Sequence, residues 1–228
     1  MSDSVIHLPV AEAYDRWSGF YDAYDNPLVF VTGHALSTLA ESVAGKDVFE
    51  FGCGTGRNLS ALKACGAAHV AGCDLSEGML AKARLRDPAF EVMRHDMTAP
   101  LSRPDRSADL ALFCLSLEHV GDLAGPLRQA RRVLRPGGAI AILEIHPFLA
   151  ETGVAAHFGD AGQEVRMPTF PHSFAEYINT AAALSLTITE CREWRPRDLD
   201  APLPRKVLKR GRDTPLIVQF SLHSYDER

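Results

Sequence analysis

The stretch K-D-V-F-E-F-G-C-G-T-G-R-N, residues 46–58, decides the fold. Asp47–Phe51 is short, apolar and rich in Val and Phe, with one interior acid, Glu50. A helix would need a longer periodic run, so the segment predicts a buried parallel strand. Gly52, Gly54 and Gly56 follow at alternate positions, and Asn58-Leu59-Ser60-Ala61-Leu62 resumes at helical spacing. Strand, glycine turn, helix is how an α/β protein brings its backbone against a ligand, because glycine has no Cβ and takes positive φ freely. Glu50 is the odd member. A carboxylate before the turn repels a pyrophosphate but suits a cation or a hydrogen-bond donor.

Downstream the alternation repeats. A helix over about 57–64 leads to a second strand, His69–Asp74, that ends on an acid, and Ser76 caps a helix running to Leu85. Phe90–Arg94 is a third strand closed by His95-Asp96-Met97, and Ala108–Leu115 is a fourth, apolar enough to be buried on both faces. Leu127–Leu134 reads as helix, Pro136-Gly137-Gly138 as a turn, and Ala139–Ile145 as a fifth strand carrying Glu144. Strands alternating with helices imply right-handed crossovers and a mostly parallel sheet with helices on both faces.

The flanks differ. Residues 9–24 predict one helix with Ala13, Trp17, Phe20 and Tyr24 on a common side, and Leu28–Val43 a second. An aromatic stripe at this spacing suits a core as well as a ligand cover, so Tyr14, Trp17 and Tyr21 carry both readings. Residues 146–171 show no clear period and read as a loop or cap, which at this length points to function. A helix from Phe174 to Leu184 precedes strands at Leu186–Trp194 and Leu216–His223, which form an antiparallel hairpin at the sheet edge.

Composition bounds the class. At 228 residues, 46% hydrophobic and 23% charged, the chain is expected to be one domain over 1–228. A formal net charge of −5 gives no general reason to expect nucleic acid as a partner. The five cysteines form no C-x-x-C pair, and the nine histidines have no ligand spacing, so no metal is expected. No apolar run reaches the ~18 residues of a membrane span, and the polar N-terminus lacks a signal-peptide core. A cytoplasmic location is the expectation.

Two ligands compete for the glycine turn. A dinucleotide fold wants G-x-G-x-x-G, but here Arg57 holds the third place and Gly56 comes one early. Asp74, at the end of the second strand, stands where an acid accepts both ribose hydroxyls of an adenosine. Asp96, at the end of the third, can meet an adenine edge. With Glu50 favouring a positive group, one adenosine, no phosphate and a cation describe S-adenosylmethionine.

Five ordered motifs then carry a resemblance: V-F-E-F-G-C-G-T-G-R-N, G-C-D-L-S-E-G-M-L, R-H-D-M, D-L-A-L-F-C-L-S-L-E-H-V and R-R-V-L-R-P-G-G-A-I-A-I-L-E. Over about residues 46–145 the chain resembles the class I S-adenosylmethionine-dependent methyltransferases, in particular the small-molecule branch that includes the ubiquinone/menaquinone-type enzymes. The resemblance implies a Rossmann-like seven-stranded sheet of order 3-2-1-4-5-7-6, the last strand antiparallel. It also implies a cofactor site. Gly52, Cys53, Gly54, Gly56 and Asn58 would form the turn under the methionine part, with Glu50 beneath it. Asp74 would hold the ribose, Leu75 and Met79 would pack on adenine, Asp96 and Met97 would take its edge, and Leu115 would flank the methionine. The N-terminal helices, residues 1–45, would cover the cofactor through Tyr14, Trp17 and Tyr21.

Methyl transfer is an in-line displacement, so alignment and exclusion of water do most of the work. A base is needed only where the acceptor must lose a proton. His119, in Leu117-Glu118-His119 after the fourth strand, is the candidate, set against the alternative of a histidine merely packed under its loop. His146 and His172 are candidates for the acceptor pocket. The reading is transfer to a small molecule, O-methylation ahead of N- or C-methylation. The alternatives are an RNA methyltransferase using the basic segment 205–212, and a non-catalytic adenosylmethionine-binding protein. That basic segment also suits a solvated loop or an anionic small substrate.

Overall fold

The computed structural model describes residues 4–224, so residues 1–3 and 225–228 of the expected single domain lie outside the described residues. The central sheet contains β2 (Asp47–Phe51), β3 (His69–Asp74), β4 (Glu91–Arg94), β5 (Ala108–Cys114), β6 (Leu134–Ile145), β9 (Leu186–Trp194) and β10 (Ile217–Ser224). Their order is β4-β3-β2-β5-β6-β10-β9. Counted from β2, this is the expected 3-2-1-4-5-7-6. Pairing is parallel from β4 through β6, while β10 runs antiparallel to both β6 and β9.

Strand alternation splits the core in two. Val48, Val70, Leu112 and Leu143 face one layer with Leu59 and Leu62 of α4 (Arg57–Ala64) and Leu36 of α2 (Pro27–Ser37). Phe49, Phe51, Phe113 and Ile142 face the other, with Leu127 of α6 (Ala124–Val133) and Tyr177 of α8 (Phe174–Ala183). Period-two alternation therefore puts Glu50 on the Val48 side, beneath α4. Its side chain is fully buried there.

Several local expectations are corrected. The helix over 9–24 ends early: α1 is Val10–Trp17, and a 3₁₀ turn follows at Tyr21–Ala23. Gly19, a poor helix former, sits at the break. The helix over 28–43 is α2 plus a single turn, α3 (Ala40–Val43). Helix α6 begins at Ala124, not 127. Pro136-Gly137-Gly138 is not a turn between elements but lies inside β6, where the pairing with β5 shifts register and Gly137 takes φ 79°.

Residues 146–171 are more ordered than the sequence predicts. They hold α7 (Pro147–Glu151) and the hairpin β7 (His157–Asp160) and β8 (Gln163–Arg166). Strand β1 (Ser4–His7) pairs in parallel with β8, giving a second sheet of order β1-β8-β7. The N-terminus and the segment after β6 are thus one unit. Trp17 stacks on Phe158 with centroids 4.6 Å apart, and Arg16 pairs with Asp160. No helix among the described residues is long and apolar enough to cross a membrane.

Candidate active site

The glycine turn leaves the carboxyl end of β2 pinned to its neighbour. The N–H groups of Gly52 and Cys53 both donate to the Cys73 carbonyl, at 2.8 and 2.9 Å. Gly52, Gly54 and Gly56 have φ of 76°, 53° and 72°. Gly54 N then donates to Asp74 Oδ2 (2.8 Å) and Ser76 N to Asp74 Oδ1 (2.9 Å). The carboxylate at the end of β3 is thereby oriented by backbone from two loops. Burial pushes the Asp74 carboxyl up, against the pull of those N–H donors.

A cavity of about 190 Å³ opens over this turn. Gly52 and Gly54 line it, with Asp74, Leu75 and Met79 on the β3 side and Asp96 and Met97 after β4. Leu115 and His119 close the β5 end, and Tyr14 and Tyr21 cover it. Eleven residues singled out in the sequence thus converge, from five separate segments. Asp96 binds Thr98 N and Oγ1 through Oδ1 (2.9 and 2.7 Å), leaving Oδ2 for a ligand. Val10, His95, Thr98, Cys114, Ser116 and Val120 also line the cavity. Sequence reading missed these, since they neighbour the motifs without a chemical pattern of their own.

The other candidates sit behind this surface. Trp17 lies in the aromatic cluster with Phe158 and lines a neighbouring cavity instead. Cys53 packs under the turn against Gly72, and a Cβ on Gly56 would meet the Phe90 ring at 3.0 Å. Asn58 Nδ2 donates to Glu50 Oε1 (2.7 Å), while Glu50 Oε2 is buried without a partner among the described residues. Burial pushes the Glu50 carboxyl up to about 8.

Residues remote in sequence fasten the cover. Asp15 Oδ1 accepts from Ser76 Oγ (2.6 Å) and Gly78 N (2.8 Å), and Asp22 accepts from Thr55 Oγ1 (2.7 Å) and Arg86 (2.6 Å). Gly78 is needed for this contact, because a Cβ there would lie 3.1 Å from the Asp15 backbone. Tyr14 Oη lies 2.9 Å from His119 Nε2, and His119 Nδ1 lies 2.9 Å from the Pro168 carbonyl. A carbonyl only accepts, so Nδ1 carries a proton; in the neutral ring Nε2 then accepts from the Tyr14 hydroxyl.

Glu144 supports this corner from β6. Its Oε1 accepts from both Ser116 N and Leu117 N at 2.8 Å, which fixes the turn that carries His119. Burial pushes the Glu144 carboxyl up to about 8 as well.

Two further cavities continue from the first in series. One, of about 310 Å³, shares Tyr14, Tyr21 and Leu115 with it. A third, of about 390 Å³, shares Glu118 and Ala156 with the second. His172 lines this third cavity and donates through Nε2 to Val120 O (2.7 Å). His146 lines none of the three. Its Nδ1 accepts from Phe148 N at 3.2 Å, capping α7, and its Nε2 donates to Glu193 at 2.8 Å. Of the basic segment, Lys206, Lys209 and Arg210 line the 310 Å³ cavity.

The donor set fits adenosylmethionine better than a dinucleotide. Among the described residues no lysine or arginine lines the 190 Å³ cavity, whereas two carboxylates do. The space above Gly54 is open, with nothing within 4 Å of a Cβ placed there.

Known proteins agree with this geometry. The fold is the one seen in S-adenosylmethionine-dependent methyltransferases, and the relatives the chain resembles are methyltransferases. Residues 49–142 match the family described as a methyltransferase domain. Over 155 residues the chain is 33% identical to a demethylmenaquinone methyltransferase of Tropheryma whipplei, covering 64% of each chain. Over 175 residues it is 35% identical to a malonyl-(acyl-carrier protein) O-methyltransferase of Yersinia pestis, covering 75% of this chain and 62% of that one. The match thus spans just under two thirds of the length of these relatives. An S-adenosylmethionine-dependent methyltransferase from Mesorhizobium loti superposes with a TM-score of 0.67 at 26% identity, covering 82% of this chain and 95% of that one.

Proposed function

We propose that the protein transfers a methyl group from S-adenosylmethionine to a small-molecule acceptor, with oxygen the methylated atom. The observation that carries the reading is the 190 Å³ cavity. It is built on a glycine turn, bears strand-end carboxylates at Asp74 and Asp96, and among the described residues has no lysine or arginine for a phosphate. The cofactor, when bound, supplies an already activated methyl group on a sulfonium. The chain does the rest. Asp74 holds the ribose hydroxyls, Leu75 and Met79 face the adenine, and Asp96 Oδ2 accepts from the adenine amino group. Tyr14 and Tyr21 cover the site, and residues 4–45 and 146–171 together keep water out. Oxygen is favoured because a hydroxyl acceptor must lose a proton, and His119, held at Nδ1 by the Pro168 carbonyl, turns Nε2 toward the Tyr14 hydroxyl at the cavity wall.

Calorimetric titration with S-adenosylmethionine and S-adenosylhomocysteine tests the core of this reading. Both are expected to bind, and Asp74→Asn is expected to weaken both by about tenfold, the loss of one charge-assisted hydrogen bond. No heat with either ligand would end the proposal. For His119, the expectation is that His119→Ala lowers methyl transfer by about a hundredfold while adenosylhomocysteine affinity stays within about threefold. Equal loss of both would reduce His119 to a packing role.

A further inference from the structure

The 310 Å³ cavity meets the cofactor cavity at Tyr14, Tyr21 and Leu115. Its far wall comes from the connection between β9 and β10, which brings Lys206, Lys209 and Arg210 to the lining. We propose that this cavity takes an acceptor with an anionic headgroup, a carboxylate or a phosphate, bound by Lys209 and Arg210 at the end away from the methylated atom. The proposal rests on the methyltransferase reading and names the substrate class of that site.

The argument is one of charge and anchoring. The chain carries a net charge of −5, so three cations on one cavity wall run against its overall balance. Lys206 is already engaged. Its Nζ donates to Asp25 O at 2.9 Å, lies 3.4 Å from Asp25 Oδ2, and sits 5.5 Å from the Tyr24 ring centroid. Lys209 and Arg210 are exposed and have no side-chain hydrogen bond or ion pair among the described residues. The acids on the same lining offer them little competition. Asp25 is met by Lys206, and Glu118, pushed up by burial, accepts from Ala156 N at 3.0 Å.

The cations are also held in place. They stand on a 3₁₀ turn, Val207–Arg210, anchored by Val207, which is 1% exposed and packed into the core. Pre-ordering a guanidinium and an ammonium lowers the entropy lost when a two-oxygen or three-oxygen anion binds. Leu28, Leu149, Val154 and Leu216 give the rest of the cavity an apolar lining, suited to an acyl or aryl body.

The test uses 2-naphthoate, 2-naphthyl phosphate and the uncharged 2-naphthamide as probes, followed by naphthalene fluorescence. They are titrated into the protein with and without saturating adenosylhomocysteine. At least one anion is expected to bind about tenfold more tightly than the amide, the worth of a charge-assisted hydrogen bond. The preferred anion identifies the headgroup. In the Lys209→Ala/Arg210→Ala double variant the preference is expected to fall to within about twofold, with adenosylhomocysteine affinity unchanged. Equal binding of the amide, failure of all three probes, or a preference that survives the double variant overturns the proposal. Failure of adenosylhomocysteine to bind would instead overturn the methyl-donor reading, and the anion preference would still be read on the free protein.

Discussion

Gly52→Ala is expected to lower the melting temperature by about 5–15 °C and to weaken adenosylhomocysteine binding more than any other single change in the glycine turn. Two independent penalties add. At φ 76° a side chain is strained, by about 1–2 kcal/mol. The added Cβ would also fall 2.6 Å from Ser116 Cβ and 3.3 Å from Met97 Cε. Ser116 cannot retreat freely, because its N–H is held by the buried Glu144 carboxyl oxygen at 2.8 Å. Overpacking of this kind costs about 1–3 kcal/mol, and in a chain of this size each kcal/mol is worth about 2–4 °C. The displaced atoms belong to the cavity wall itself, so stability and affinity fall together. Gly54→Ala is the control: its φ is 53°, but nothing lies within 4 Å of the added carbon. Thermal melts of the two variants settle the point, and equal stability would mean that the turn does not approach Ser116 this closely.

The contrast between those glycines marks what can be read in the chain. The parallel sheet was legible because β2, β3 and β5 are short apolar runs, each followed by a turn, a cap or an acid, and such runs have few other solutions. Asp74 and Asp96 were legible for the same reason: position at a strand end locates a side chain before any contact is known. The cover was not. Strands β1, β7 and β8 are four residues each, and β1 finds its partner more than 150 positions away, which no local pattern records. The β7–β8 turn places Ala161 and Gly162 at φ 48° and 78°. This is the two-residue hairpin geometry with an alanine where Asn or Asp would have advertised it. The roles of Asp15, Asp22 and Glu144 were hidden on similar grounds. Each acts by accepting hydrogen bonds from a loop brought near only by the fold.

His146 shows the converse error. Its position at the end of β6 suggested an acceptor pocket, yet its ring is used up in capping α7 and meeting Glu193. Trp17 was half legible: it belongs to the aromatic cover, but on the layer that fastens to Phe158. Periodicity grouped rings that do pack together, but the helix it assumed for them ends at Trp17, and it could not say which ring faced the cavity.

The two buried glutamates make stability depend on pH. Glu50 and Glu144, both fully buried, have carboxyls pushed from 4.5 up to about 8 by burial. In the unfolded chain both lose their protons near pH 4.5, whereas the folded chain keeps them to about 8. Between those limits the folded state binds more protons than the unfolded state, so stability must fall as pH rises through the window. Each tenfold difference in proton affinity is worth about 1.4 kcal/mol, which makes the combined loss from pH 5 to pH 8 on the order of several kcal/mol. Asp74 and Glu118, also raised by burial, act in the same direction. The lowered acids Asp47, Asp87 and Glu193 act in the opposite sense, but only as pH falls through their folded values below the ordinary carboxyl range. Urea midpoints measured from pH 5 to 8 are therefore expected to decline steadily. The Glu50→Gln/Glu144→Gln variant is expected to flatten that slope, because an amide oxygen can still accept from Asn58 at one site and from Ser116 and Leu117 at the other. An unchanged slope in the double variant would mean that these carboxyls ionise in the folded protein as readily as in water.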